Sequence, residues 1–139
     1  MKFRILVIDD AATVRMYHRK LFADAGWDSE EAINGLEALE RVRGQSPDAP
    51  FDLFVVDINM PKMDGYAFVR ELRTDSLIRQ VPVLMVSTEA QGIDRQKAWQ
   101  VGANCYLIKP AKPQELVLTA ALLLGDAAAA RTAVQGVGA

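Results

Sequence analysis

Three carboxylates, a hydroxyl and an amine stand at the ends of four apolar runs in this chain. Phe3 to Ile8 leads into Asp9-Asp10, Phe51 to Val56 into Asp57, Val81 to Val86 into Ser87-Thr88, and Asn104 to Ile108 into Lys109-Pro110. If those runs lie side by side and point the same way, the polar groups meet at one edge. Carboxylates crowded into a partly desolvated place raise one another's pKa, so such a cluster needs positive charge to persist. Lys109 offsets one of them, and a hard divalent cation held through oxygen offsets the rest; Mg²⁺ suits a site with few carboxylates and retained waters. A carboxylate beside Mg²⁺ is a competent nucleophile for phosphoryl transfer, which depends on in-line placement and neutralised equatorial oxygens. Asp57 is then the natural acceptor. Lys109 would contact one phosphoryl oxygen and Ser87 another, with backbone N–H groups after the third and fourth strands completing the cradle. An isolated Asp9-Asp10 pair reads as a solvated turn; convergence with Asp57 and Lys109 reverses that reading.

The elements that must position these groups follow from the pattern of apolar residues. Strand-like runs alternate with stretches of helical period, the signature of a parallel sheet with helices on both faces. Four of the runs are continuously apolar, as strands covered on both sides are. Trp27 to Ala32 is more polar and suits an edge strand. Ala12 to Ala25 has helical spacing through Val14, Tyr17 or His18, Leu21 and Phe22, and Gly26 stops it. Asn34 caps a helix through Leu36, Leu39 and Val42. Tyr66 to Arg73 and Ile93 to Val101 are two further helices, the latter closed by Gly102. Pro113 opens the last, from Gln114 to about Leu124. The reading is five strands and five helices in strict alternation: an α/β, doubly wound domain over 1–125. Gly44 to Pro50 is a loop. The Ala/Gly-rich tail, 126–139, is expected to fray from the last helix or to be disordered.

The totals narrow the function further. The 139 residues make one domain, with 50% hydrophobic and 24% charged residues in the range of a globular protein. A net charge of −2 supplies no field for nucleic acid. The lone Cys105 forms neither an internal disulfide nor a thiolate cage and reads as a small buried hydrophobe. The positively charged start is followed by too short an apolar stretch for export, and no run reaches the roughly 20 apolar residues of a membrane span. A cytoplasmic protein is expected. His18 lies away from the strand ends and reads as a surface or boundary residue.

Set in order, Ile8-Asp9-Asp10, Val56-Asp57-Ile58-Asn59-Met60-Pro61, Met63-Asp64-Gly65, Val86-Ser87-Thr88-Glu89-Ala90, Gly102-Ala103 and Tyr106-Leu107-Ile108-Lys109-Pro110 resemble the receiver domains of two-component response regulators, over about Phe3 to Leu124. The resemblance implies a sheet ordered 2-1-3-4-5, with Asp57 as phosphoacceptor. It implies Mg²⁺ held by Asp9, Asp10, Asp57 and the backbone carbonyl of Asn59, with Ser87 and Lys109 sensing the phosphoryl group. It makes Tyr106 an aromatic switch, where sequence alone reads a half-buried strand residue, and the Lys109-Pro110 bond cis. Asn59 and Glu89 would tune hydrolysis, and their combination resembles chemotaxis regulators of the flagellar motor. Gln91-Gly92 and the long loop Gly44 to Pro50 depart from that narrower pattern. Met60-Pro61 and Asp64-Gly65 shape the loop over the site.

The expected partners are a histidine kinase and a target protein that binds the face of the fourth helix, fifth strand and fifth helix. The chain would act as a monomer or a phosphorylation-dependent homodimer. It would be a signalling domain rather than an enzyme, with phosphotransfer and loss of phosphate both self-catalysed. Mg²⁺-dependent aspartyl-phosphate hydrolases of the haloacid dehalogenase kind resemble one another in an acid two residues beyond the nucleophile, where this chain has Asn59, which cannot donate a proton in that way. A pseudo-receiver interaction module or a flavodoxin-like cofactor binder would have no use for so much clustered negative charge. The last helix carries Leu116, Val117, Leu118, Leu122, Leu123 and Leu124, more than one buried stripe needs. Part of it should face a partner or a second copy, unless the tail folds back over it.

Overall fold

The computed structural model describes residues 2–137; Met1 and the last two positions of the tail, 138–139, lie outside the described residues. The described residues form strands β1 (Arg4–Ile8), β2 (Asp28–Ala32), β3 (Leu53–Val56), β4 (Val83–Ser87) and β5 (Cys105–Ile108). Between and after them run helices α1 (Ala12–Asp24), α2 (Gly35–Arg43), α3 (Gly65–Thr74), α4 (Gly92–Val101), α5 (Pro113–Leu124) and α6 (Ala127–Val137). The strands pair in parallel in the order β2-β1-β3-β4-β5.

Strand period 2 divides the core into two layers. Leu6, Ile8, Phe54, Val56, Val83 and Met85 point to one side, where they meet Leu39, Phe68, Leu72 and Ala98 of α2, α3 and α4. Ile5, Val7, Leu53, Val55, Leu84 and Val86 point to the other, against Phe22, Leu116, Ala120 and Ala130 of α1, α5 and α6. Covered on both faces, the central strands are apolar throughout, while polar β2 forms one edge as expected.

Local chemistry sets the helix ends. Asn34 accepts from the Glu37 N–H at 2.9 Å, and Asp64 accepts from the Ala67 N–H at 2.8 Å, each satisfying an amide that the first helical turn leaves open. Gly102 ends α4 at φ 105°, a left-handed conformation that disfavours a side chain. The Lys109–Pro110 bond is cis.

Four expectations need correction. The tail does not fray: residues 127–137 form α6, whose Ala130 and Ala133 are buried in the spacing of a helix face. It folds back over α5, and Asp126 accepts from the Trp27 indole at 2.9 Å. Sequence alone underrates such a segment because its alanines carry little apolar area each. Part of α5 nonetheless stays uncovered, with Leu122 66% exposed. Second, β5, the edge strand that the order 2-1-3-4-5 implies, is less buried than its apolar run suggests, with Ile108 exposed. Third, Cys105 on that strand is accordingly half-buried. Fourth, His18 is buried at 5% exposure. Helix α1 buries Arg15, His18 and Phe22, so its phase turns His18 inward and leaves Tyr17 outside.

Candidate functional site

Backbone register brings the polar residues together before any side chain acts. Ile8 pairs with Val56, so the next residues, Asp9 and Asp57, stand beside each other across β1 and β3. Sheet order reverses between those two strands, the place where open parallel sheets bind ligands. Ser87 pairs with Ile108, and the Lys109 N–H donates to the Ser87 carbonyl at 2.8 Å.

The side chains complete the convergence. Carboxylate oxygens of Asp9, Asp10 and Asp57 lie within 4.8 Å of one another. Lys109 Nζ donates to Asp9 Oδ2 at 2.6 Å and lies 3.3 Å from Asp57 Oδ1. Asp9 and Asp57 are 2% and 7% exposed, whereas Asp10 faces solvent. Burial pushes the Asp57 carboxyl up from 3.8 to about 6, helped by the Asp9 charge; Lys109 opposes the rise without cancelling it. One ammonium against three carboxylates therefore leaves negative charge uncompensated. This donor set, all oxygen with one ligand open to water, fits a hard divalent cation.

On the far side of the pocket, Asn59 Nδ2 donates to Glu89 Oε1 at 2.9 Å, tying the loop after β3 to the loop after β4. The Glu89 N–H donates to Ser87 Oγ at 3.2 Å. The Tyr106 hydroxyl donates to the Glu89 carbonyl at 2.6 Å, and its half-buried ring packs on the core layer of α2, α3 and α4. The Arg95 guanidinium lies over that ring, 5.8 Å from its centroid. Gly65 starts α3 hard against the site: a Cβ there would stand 2.4 Å from the Asp57 carbonyl oxygen. The structure thus brings Asp9, Asp10, Asp57, Ser87 and Lys109 to one edge, with Asn59, Glu89 and Tyr106 linked beside them.

Sequence reasoning missed two arginines. Arg15 donates to the Asp9 carbonyl and to Glu31, and Arg95 covers Tyr106. Both sit in helices whose polar faces read as solvated, and no local signal distinguishes an arginine that reaches inward.

A doubly wound α/β domain with a lysine-bridged acidic pocket at its switch point is the class this fold and site define. The chain matches the response regulator receiver domain over residues 5–121. It belongs to that family. It is 32% identical over 123 residues to chemotaxis protein CheY1 of Helicobacter pylori, covering 88% of this chain and 97% of that protein. It is also 32% identical over 108 residues to the gliding motility regulatory protein of Myxococcus xanthus, covering 78% of this chain but 13% of that longer protein. Among solved structures, Vibrio cholerae chemotaxis protein CheY4 superposes with a TM-score of 0.80 at 33% identity, over 88% of this chain and 99% of that one. Among the described residues, no helix is long and apolar enough to cross a membrane.

Proposed function

We propose that this receiver domain takes a phosphoryl group onto Asp57 from the phosphohistidine of a histidine kinase and signals by a phosphorylation-dependent protein contact. The observation that carries the reading is the Lys109 ammonium bridging Asp9 and Asp57 inside a three-carboxylate cluster. An Asp57 oxygen attacks phosphorus, the P–O bond forms as the P–N bond breaks, and the imidazole leaves with the electron pair. Asp57, at about 6, is mostly ionised at neutral pH and so available as the nucleophile. Asp9, Asp10, Asp57 and the Asn59 carbonyl would hold Mg²⁺, which supplies charge neutralisation of the phosphoryl oxygens. Lys109 binds one of those oxygens and Ser87 another. Water attack then returns Asp57, with Asn59 and Glu89 governing access.

Tyr106 links this chemistry to the output. Its hydroxyl reports on the β4–α4 loop through Glu89, so drawing Ser87 toward phosphate changes the α4–β5–α5 face where a target protein binds. The coupling is of the order of 1 to 3 kcal/mol. The domain acts as a monomer or a phosphorylation-dependent dimer in the cytoplasm, and chemotaxis is the output that its similarity to chemotaxis proteins favours.

Incubation with acetyl phosphate or beryllofluoride, with and without Mg²⁺, tests the assignment on wild type and Asp57→Asn. A metal-dependent adduct on wild type alone is expected. An adduct that forms without metal, or on Asp57→Asn, overturns it.

A further inference from the structure

We infer that Arg15 is a positioning residue for the cation pocket, holding Asp9 in place by bridging its backbone carbonyl to Glu31 of β2. The inference rests on the reading of Asp9 as a cation ligand. Arg15 lies on the first turn of α1 and is 9% exposed. Its Nη1 donates to the Asp9 carbonyl at 2.7 Å, and its Nε donates to Glu31 Oε1 at 2.7 Å. Arg19, one turn on, pairs with the second Glu31 oxygen. The Asp9 N–H donates to the Ala32 carbonyl at 3.1 Å, its Oδ1 accepts from the Ala11 N–H at 2.9 Å, and Lys109 holds its Oδ2. Asp9 is thereby fixed at every polar group, while neighbouring Asp10 faces solvent.

Electrostatics argues that geometry, not charge, explains Arg15. A guanidinium buried beside a pocket meant for a cation repels that cation. What it contributes is a rigid fork that joins α1, the β1 terminus and β2 at once, which an ammonium reproduces only in part. The Glu31 carboxyl is held below its usual range by Arg15 first and Arg19 second among its arginine partners, consistent with a firm anchor. Outer groups that orient metal ligands typically govern affinity by about tenfold or more.

Isothermal titration calorimetry with Mg²⁺ alone tests this on wild type, Arg15→Gln, Arg15→Lys and Glu31→Gln, with urea unfolding recorded on the same samples. Arg15→Gln should bind Mg²⁺ about tenfold more weakly, although it removes a repelling charge. Arg15→Lys should recover part of the loss. Glu31→Gln keeps the guanidinium charge but loosens its anchor, and should weaken binding by a smaller factor. A folded Arg15→Gln that binds as tightly as wild type, or more tightly, overturns the inference and leaves Arg15 as a structural tie only. If Arg15→Gln does not fold, unchanged affinity in folded Glu31→Gln overturns it equally. Wild type that binds no Mg²⁺ instead removes the cation pocket on which both readings stand.

Discussion

His18 and Asp57 should pull the stability of this domain in opposite directions between pH 4 and pH 6, and substituting either one should expose the other. Each pH unit between a folded and an unfolded pKa is worth about 1.36 kcal/mol. Burial lowers His18 from 6.5 to about 4, with Asp9 opposing and Lys109 assisting. Its Nδ1 is buried without a hydrogen-bond partner, so no hydrogen bond at that atom offsets the burial of the charged form. In that window the unfolded chain binds the proton and the folded one does not. Stability present above pH 6.5 is therefore lost as pH falls towards 4, by about 3 kcal/mol. For Asp57, raised from 3.8 to about 6, the folded state binds the proton first. Stability is gained as pH falls from 6 to 3.8, again by about 3 kcal/mol. The two slopes nearly cancel in wild type. In divalent-free buffer, His18→Leu should become more stable as pH drops from 6 to 4, and Asp57→Asn less stable. Urea unfolding across that range measures both, and because His18 is the only histidine, its imidazole resonance titrates without overlap. An imidazole that titrates near 6.5 in the folded protein, or a His18→Leu profile parallel to wild type, refutes the reasoning.

Gly65→Ala should destabilise the domain by about 1 to 3 kcal/mol, because its Cβ would meet the Asp57 carbonyl at 2.4 Å and Ile58 Cα at 2.9 Å, backbone atoms that cannot swing aside; equal unfolding midpoints would contradict the geometry. Mg²⁺ at a hundred times its Kd should stabilise wild type by about 2.7 kcal/mol, the gain fading below about pH 6 as Asp57 takes a proton. Thermal scans should find that gain sharply reduced in Asp10→Asn, whose exposed site leaves the core untouched. Asp126→Ala removes both the Trp27 bond at 2.9 Å and the cap to Ala129 at 3.1 Å, at a cost of about 1 to 2 kcal/mol in α6. On a Trp99→Phe background the Trp27 emission should shift to the red as α6 loosens; an unchanged spectrum would mean that α6 docks without Asp126.

Much was legible from the sequence alone. Apolar runs ending at Asp9, Asp57 and Ser87 determined a parallel sheet with its chemistry at one edge, because strands covered on both faces must be apolar until they emerge; the run ending at Lys109 joined them as an edge strand. Asn34, Gly102 and Pro113 marked helix ends through backbone hydrogen bonding that each residue type satisfies or forgoes locally. Tertiary structure decided the rest. Whether Tyr17 or His18 faced inward depended on the phase of α1 against the sheet, and two adjacent side chains of mixed character do not specify that phase. Helix α6 formed because α5 offered its alanines a surface to cover, a gain invisible in the segment itself. Arg15 reached Asp9 and Glu31 across three elements that local pattern cannot relate. Sequence determines what is local or periodic; contacts between distant segments of comparable polarity exist only once the chain has closed on itself.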